Sequence, residues 1–333
     1  PLAAFGGFSA ARTMSMHDPV SEMAGYAAAI ERCLTCASCE VRCPQGVRYA
    51  SYVRGLRAEV PAECRRPRPH GEVFQRFGRL ASPGEMPARP AWLDEDLSVA
   101  DEGDLALFVG CLPIFDVVFR DELQVDSLAS ARAAIRALNH FGVSPVLVGG
   151  ESCCGHDLLW GGERDAFEAL ATAIVQRFRE RGIQHIVTVC AECCRTWRLD
   201  YPEVAADYRP RVEHMTEYLA RRLDDGELAF RASDNGAVTY QDPCRLGRQL
   251  EVLAEPRQLL TAIPDTERLA TTLVALEYLT ETGQYDRADA LLNVLLAQPK
   301  YAETPSLWRL AARVAGDGGR LARSVGYLEN AME

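Results

Sequence analysis

The sequence LALFVGC at residues 105–111 is an apolar run of strand length that ends in a glycine and a cysteine. Similar apolar runs follow at residues 145–148 and 183–189, and a stretch with helical periodicity separates each run from the one before it. Apolar strands that alternate with amphipathic helices are typical of a parallel sheet covered on both faces. The sequence therefore predicts an α/β fold for this part of the chain.

The other elements follow from periodicity and from proline. Strands are predicted at Leu105–Gly110, Pro145–Val148, Ile183–Val189 and Val238–Gln241. Helices are predicted at Ser21–Ile30, Tyr49–Glu59, Ser127–Phe141, Arg164–Arg181, in a short segment that ends at Arg198, and at His214–Arg222. Six prolines between residues 61 and 103 favour irregular backbone in that segment.

The first cysteine cluster has the spacing of a bacterial ferredoxin. Its members are Cys33, Cys36, Cys39 and Cys43, and Pro44 follows the last of them. This spacing predicts a cubane [4Fe–4S] cluster rather than a zinc knuckle. In two-cluster ferredoxins the fourth cysteine ligates the other cluster. Cys43 is therefore predicted as a ligand without a decision on which cluster it serves, and Cys64 is interpreted as a bystander.

A second set of cysteines follows the predicted strands at their carboxyl ends. Its members are Cys111, Cys153, Cys154, Cys190 and Cys193. The carboxyl ends of parallel strands meet at one edge of a sheet, where α/β proteins build their sites. We therefore expect these five thiols to converge.

These motifs resemble the Cys-Cys-Gly domain of heterodisulfide reductases, which is shared by the iron–sulfur subunits of glycolate and lactate oxidation. The residues that carry the resemblance, over about residues 25–265, are Cys153-Cys154-Gly155-His156-Asp157, Gly161-Gly162, Cys190 to Thr196, Tyr201-Pro202-Glu203 and Asp242 to Arg248. The resemblance implies that the five cysteines bind a noncubane [4Fe–4S] cluster, or a second cubane. Cys194 lies outside the pattern.

The same family usually carries the pattern twice, and Cys244 matches the opening cysteine of a second copy. No cysteine follows Cys244 in this sequence, so we expect no second noncubane cluster on these residues. His156 adjoins the cluster cysteines and is the candidate catalytic residue, as a proton donor to a thiolate product. A structural role for His156 is the alternative. The other five histidines show no ligand spacing.

The 333 residues are too many for one domain of average size. We predict a ferredoxin-like helical domain at 1–60, a proline-rich linker at 61–103, the Cys-Cys-Gly domain at 104–266 and helical repeats at 267–333. Similar residues recur at an offset of 34 in the last segment, as at Leu276 and Leu310, which resembles a tetratricopeptide repeat. A generic helical hairpin is the alternative.

The net charge and the apolar pattern of the sequence indicate which partners and which location to expect. A net charge of −11 argues against nucleic-acid binding. No apolar run is long enough to span a bilayer, and residues 1–16 lack the basic start of a signal peptide. We therefore expect a cytoplasmic protein that is either diffusible or peripheral on the inner face of the membrane. No glycine-rich dinucleotide fingerprint follows the first strand, so electrons must come from a flavin- or iron–sulfur-containing partner in a hetero-oligomer.

Three functions are consistent with the sequence. The leading hypothesis is an iron–sulfur subunit of a heterodisulfide-reductase-like oxidoreductase, which passes electrons from the cubane to the noncubane cluster and on to a disulfide, or to a quinone-reactive membrane partner. The second hypothesis is the iron–sulfur subunit of a glycolate- or lactate-type 2-hydroxyacid dehydrogenase. The third is a degenerate scaffold that docks partners through its helical repeats.

Overall fold

The computed structural model describes residues 27, 30–60, 71–81, 90–148, 153–230, 240–263, 276, 279–280, 282–297 and 305–331. These residues belong to two compact units. Unit 1 comprises residues 1–222 and 243–252, and unit 2 comprises residues 223–242 and 253–333. The predicted division into four segments stays a prediction, and Cys64 lies outside the described residues.

Unit 1 is a mixed α/β structure, which confirms the predicted fold class. Its strands are β1 (Leu105–Phe108), β2 (His185–Thr188) and β3 (Arg211–His214). Its helices are α1 (Tyr49–Glu59), α2 (Val73–Leu80), α3 (Leu112–Leu123), α4 (Ala129–His140), α5 (His156–Trp160), α6 (Arg164–Glu180), α7 (Ala191–Arg195), α8 (Tyr201–Val204), α9 (Met215–Asp224, which runs into unit 2) and α10 (Cys244–Leu250). A single π-helical turn, Thr196–Asp200, joins α7 to α8.

The sheet is parallel, with strand order β1-β2-β3 and the register Leu105 opposite His185 and His185 opposite Arg211. The predicted strand around residue 146 forms two isolated parallel bridges, to Ala100 and to Ala106, and in the second the Leu107 amide donates to the Val146 carbonyl at 3.0 Å. Alternate residues of β1 enter different cores, since Phe108 packs with Phe178 and Trp197 while Leu107 packs with Ile135 and Leu138. Both faces of the sheet are therefore covered, as predicted.

Four sequence predictions need correction or lie partly beyond the described residues. His214 ends strand β3 instead of starting a helix, and α9 begins one residue later. Helix α2 interrupts the segment predicted to be irregular, because Phe74 and Phe77 pack against Phe115 of α3 with ring centroids 5.5 and 5.7 Å apart. Of the strand predicted at 238–241, the described residues 240 and 241 are not in a strand. The helix predicted at 21–30 is described only at residues 27 and 30, which are helical.

Unit 2 contains α11 (Ala254–Ala262), α12 (Tyr285–Leu296), α13 (Pro305–Asp317) and α14 (Leu321–Asn330). The last three helices share a core that includes Leu292, Ala311 and Tyr327. Contacts between α12 and α14 repeat at a separation of 34 residues, since the Tyr327 hydroxyl donates to Asn293 at 2.9 Å and Arg320 pairs with Asp286 at 2.7 Å. The assignment of a tetratricopeptide repeat stays a prediction.

A buried carboxylate stabilises the sheet edge at β3. Glu213 accepts hydrogen bonds from His185 at 2.7 Å, from Arg211 at 2.9 Å and from Arg221 at 2.8 Å. Burial raises the pKa of Glu213, but the His185 hydrogen bond and the two arginine charges outweigh it and lower the pKa to about 2. Since the folded pKa lies below the unfolded one, this stabilisation is complete above the unfolded pKa of about 4.3 and is lost as the pH falls towards 2.

Glu213→Gln should therefore lower the free energy of unfolding at pH 7 by about 2 kcal/mol, because the two arginines lose their counter-charge. Denaturant unfolding at pH values from 7 down to 3 measures this, and the loss caused by the substitution should shrink as the pH falls. An equal loss at every pH would show that the charge of Glu213 does not contribute.

Candidate functional site

Three loops at the carboxyl edge of the sheet deliver the second set of cysteines. Cys111 follows β1 and caps α3, Cys190 follows β2 and caps α7, and Cys153 with Cys154 directly precedes Gly155, the cap of α5. The backbone at residue 110, after β1, also lies close to α7, since a Cβ added there would lie 3.0 Å from the sulfur of Cys193. The strand ends therefore bring together the side chains that the sequence predicted to converge.

The five thiols form one continuous sulfur network. Side-chain hydrogen bonds join Cys111 to Cys153, Cys153 to Cys154, Cys154 to Cys193 and Cys193 to Cys190. Cys153, Cys154 and Cys193 are buried, while Cys111 and Cys190 are partly exposed. The network thus has a buried centre and two ends that reach towards solvent.

Two sulfurs of the network favour the thiolate form. The Cys111 and Cys154 thiols and the Gly155 amide donate to Cys153, which holds the pKa of Cys153 well below its usual value. The Cys193 thiol, followed by the amides of residues 192 and 193, lowers the pKa of Cys190 against the effect of burial. Thiolates are the form in which cysteine binds metal.

The donor set fits an iron–sulfur cluster. It consists of five adjoining thiols, and backbone N–H groups donate hydrogen bonds to the sulfurs of Cys153 and Cys190. Iron–sulfur clusters bind cysteine sulfurs that accept such hydrogen bonds. Within the described ranges, no three His, Cys, Asp or Glu side chains already surround a position for a single metal ion. A set of sulfurs in mutual contact, and not a preformed one-ion cage, is therefore what the fold presents.

Cys194 and Cys244 lie beside this network. Burial raises the pKa of Cys194 to about 12, and the Thr188 hydroxyl donates to its sulfur. The nearby Cys190 also raises the pKa of Cys194 through its charge, so Cys194 borders the network at Cys190. Cys244 begins α10, which packs against α7, the helix that carries Cys193.

The first cysteine cluster lies in the loop before α1. Burial raises the pKa of Cys39, and the neighbouring Cys33 and Cys36 raise it further, so these three side chains lie close together. The Thr35 amide donates to the sulfur of Cys33 at 3.4 Å, and positive φ angles of 50° at Thr35 and 59° at Ala37 turn the backbone around the sulfurs. Such turns form the amide concavities that bind anions.

Cys43 sits in a turn of its own in the same loop. Its sulfur accepts hydrogen bonds from the amides of residues 47, 45 and 46, which lower its pKa. The ligand roles of all nine cysteines stay predictions.

His156 lies inside the protein and uses both ring nitrogens. Its Nε2 accepts a hydrogen bond from Arg245 at 3.1 Å, so Nδ1 carries the proton and faces the Thr196 hydroxyl at 3.2 Å. Burial and the charges of Arg245 and Arg195 hold the pKa of His156 well below its usual value. The ring is thus neutral, and the proposed proton-donor role stays a prediction.

Four residues of this region received no role from the sequence: Arg57, Trp160, Arg195 and Arg245. Arg57 donates to the carbonyl oxygens of Trp160 at 2.8 Å and Cys33 at 2.5 Å. Arg195 pairs with Asp200 and stacks on the Trp160 ring, 4.5 Å from its centroid. Of these four, only Arg195 and Arg245 belong to the motifs that carry the family resemblance. Each follows a cysteine directly, and this adjacency is the sequence feature that could have indicated a role for them.

Comparison with known families defines the class of this site. Residues 105–197 match the family described as a cysteine-rich domain, CCG. The segment that holds β1, β2 and all five network cysteines is therefore similar to cysteine-rich domains of this type, in agreement with the resemblance.

Relatives extend the likeness beyond that domain. One subunit of the dihydromethanophenazine:CoB–CoM heterodisulfide reductase of Methanosarcina mazei is 29% identical over 254 residues, which is 74% of this chain and 60% of the relative. One subunit of the fumarate reductase (CoM/CoB) of Methanothermobacter marburgensis is 29% identical over 259 residues, which is 75% of this chain and 48% of the relative.

The EtfAB:quinone oxidoreductase of Syntrophomonas wolfei is 26% identical over 249 residues, which is 69% of this chain and 33% of that protein. The chain thus matches about three-fifths of the length of the heterodisulfide reductase relative and less of the other two. No solved structure matches it.

Proposed function

We propose that the chain is an iron–sulfur subunit of a heterodisulfide-reductase-like oxidoreductase complex. The observation that carries the proposal is the network of five cysteine sulfurs, which three loops bring together in the segment that matches the cysteine-rich domain. The relatives support it, since their names describe subunits of heterodisulfide and fumarate reductases and a quinone oxidoreductase.

The chain's own residues would bind and shield two clusters. Cys33, Cys36, Cys39 and Cys43 would hold a cubane [4Fe–4S] cluster, and the five network cysteines would hold a noncubane [4Fe–4S] cluster or a second cubane. When bound, such clusters take up and release single electrons. Burial of Cys153, Cys154 and Cys193 excludes water from the centre of the second site, and backbone amides donate to its sulfurs.

The route of electrons follows from this assignment. A flavin- or iron–sulfur-containing partner would reduce the first site, and the second site would deliver electrons to a disulfide or to a quinone-reactive membrane partner. No helix among the described residues is long and apolar enough to cross a bilayer. In this proposal the contact with a quinone is therefore made by a partner in a hetero-oligomer.

A relay without disulfide chemistry is the second candidate. It is favoured by the likeness to a quinone oxidoreductase and by the absence of cysteine after Cys244, where a second Cys-Cys-Gly copy would lie. An anaerobic spectrum recorded with and without a disulfide distinguishes the two, because a paramagnetic thiol-bound species forms only at a disulfide-cleaving site.

Cys33→Ser tests the assignment of two separate clusters. The substitution should remove the cubane signal, lower the iron content by about four atoms per chain and spare the signal of the five-thiol site, because the two ligand sets share no cysteine. Anaerobic iron analysis with electron paramagnetic resonance measures both. Loss of both signals in a folded variant would contradict two independent ligand sets.

A further inference from the structure

Arg245 connects the two cysteine sites through hydrogen bonds. Its guanidinium donates from Nε to His156 at 3.1 Å, and from its two terminal nitrogens to the carbonyl and the hydroxyl oxygens of Thr35 at 2.6 and 2.8 Å. Thr35 precedes Cys36 in the first cluster loop, and His156 follows Cys154 by two residues. One side chain thus joins the loops of both sites.

The guanidinium is buried and lies against an aromatic ring. Arg245 is 5% exposed, and its charged centre lies 4.0 Å from the centroid of the Trp160 ring. Gln249, one helical turn on in α10, donates to the same Thr35 carbonyl at 3.1 Å. The position of the side chain is therefore fixed on several sides.

Among the described residues, no carboxylate forms an ion pair with this buried charge within 4.0 Å, and its three hydrogen-bond acceptors are neutral. The carboxylates of Glu192 and Asp200 act on it only from farther away. A buried charge is costly unless an opposite charge compensates it. Thiolates of the two cysteine sites, whose loops Arg245 joins, would supply that compensation.

We propose that Arg245 is a positioning residue that couples the two cysteine sites, by clamping Thr35 to His156 and by placing a fixed positive charge between the clusters. This inference rests on the proposed function, since it requires a cluster at each site. With clusters bound, one electron would pass from a reduced cluster held by the first cysteine loop, leaving it oxidised by one unit, to a cluster held by the five thiols, which would be reduced by one unit. A low-potential external donor such as dithionite supplies the electron, and no proton is needed.

The charge and the clamp have separable effects. A fixed positive charge stabilises the more negative, reduced state of a nearby cluster and so raises its reduction potential. The hydrogen-bonded clamp keeps the two loops together, and electron transfer slows steeply when donor and acceptor separate. Arg245→Gln removes the positive charge and the planar guanidinium that makes the three hydrogen bonds. Arg245→Lys keeps the positive charge but loses the planar guanidinium.

Redox titration and time-resolved photoreduction of the anaerobically purified full chain test the proposal. Arg245→Gln should shift both midpoint potentials to more negative values and slow transfer between the clusters about tenfold or more. Arg245→Lys should keep potentials near those of the wild type but still slow the transfer. Arg257→Gln is the matched control, because Arg257 is also largely buried but is held by Asp242 at 2.5 and 2.8 Å, and it should behave as the wild type.

Iron and sulfide content distinguishes a failure of the proposed function from a failure of the inference about Arg245. A wild-type chain without two clusters overturns the proposed function and the inference with it. If the wild type holds both clusters and both Arg245 variants keep its potentials and transfer rate, the inference alone is overturned. If Arg245→Gln fails to assemble clusters, Arg245→Lys decides, since a wild-type transfer rate in that variant contradicts the clamp.

Discussion

Cys154→Ala should lower the iron content from about eight to about four atoms per chain and abolish turnover of the assembled complex. Cys154 lies at the centre of the sulfur network, between Cys153 and Cys193, and is 4% exposed. Its removal breaks the network into two parts and leaves the remaining thiols without their link. Iron and acid-labile sulfide analysis, with the paramagnetic spectrum of the reduced protein, measures the loss.

Cys194→Ala is the matched control for this prediction. Cys194 is also buried, lies in the same helix as Cys193 and accepts a hydrogen bond from Thr188. The control should keep about eight iron atoms, and Cys244→Ala should have a smaller effect than Cys154→Ala. Equal iron loss in Cys154→Ala and Cys194→Ala would contradict the assignment of the five-thiol set.

Gly162→Ala should destabilise unit 1 by about 3 kcal/mol, through a close backbone contact between α1 and the segment after α5. Gly162 has a φ of +85°, and a Cβ at this position would lie 2.4 Å from the carbonyl carbon and oxygen of Arg57. Backbone atoms cannot swing aside as a flexible side chain does. The substitution therefore pushes α1 away from Trp160, whose carbonyl accepts a hydrogen bond from Arg57.

Gly182→Ala separates steric overlap from backbone strain. Gly182 has a similar φ of +70°, but no atom lies within 4 Å of the added Cβ, so the cost should be about 1 kcal/mol. The apparent Tm of the two anaerobically purified variants, scanned at one rate, measures the difference. Gly162→Ala should unfold about 5 °C or more below Gly182→Ala, and similar Tm values would show that the α1 contact yields without cost.

The sequence predicted those parts of the fold that depend on local patterns. Apolar runs located β1 and β2, and helical periodicity gave the bounds of α1, Tyr49–Glu59, as the structure has them. Cysteines at strand ends predicted the five-thiol site, because parallel strands align their carboxyl ends. These signals lie within short stretches of the chain.

Other features depend on contacts between distant segments. Strand β3 reads Arg-Val-Glu-His and has no apolar run, so its place in the sheet depends on pairing with β2 and on the ion pairs of Glu213. The bond from Arg245 to Thr35 joins residues 210 positions apart. No pattern within α10 identifies that partner.

Gly155 is a single residue whose role also depends on contacts that the local sequence does not show. From its position directly after two network cysteines alone, a glycine here is explained by a close approach of the backbone to a cluster. In the structure Gly155 has a φ of +77°, and an added Cβ would lie 2.9 Å from Phe167 and 3.3 Å from Leu170. The requirement for glycine therefore comes from the turn before α5 and from packing against α6.

Iron and acid-labile sulfide, counted per chain in anaerobically purified protein, show directly how many of the two cysteine sets hold a cluster. Two four-iron clusters on separate cysteine sets predict about eight irons and about eight sulfides. About four irons would leave only one of the two sites as a cluster site. A content near zero would contradict the iron–sulfur assignment and favour a scaffold with a degenerate cysteine-rich domain.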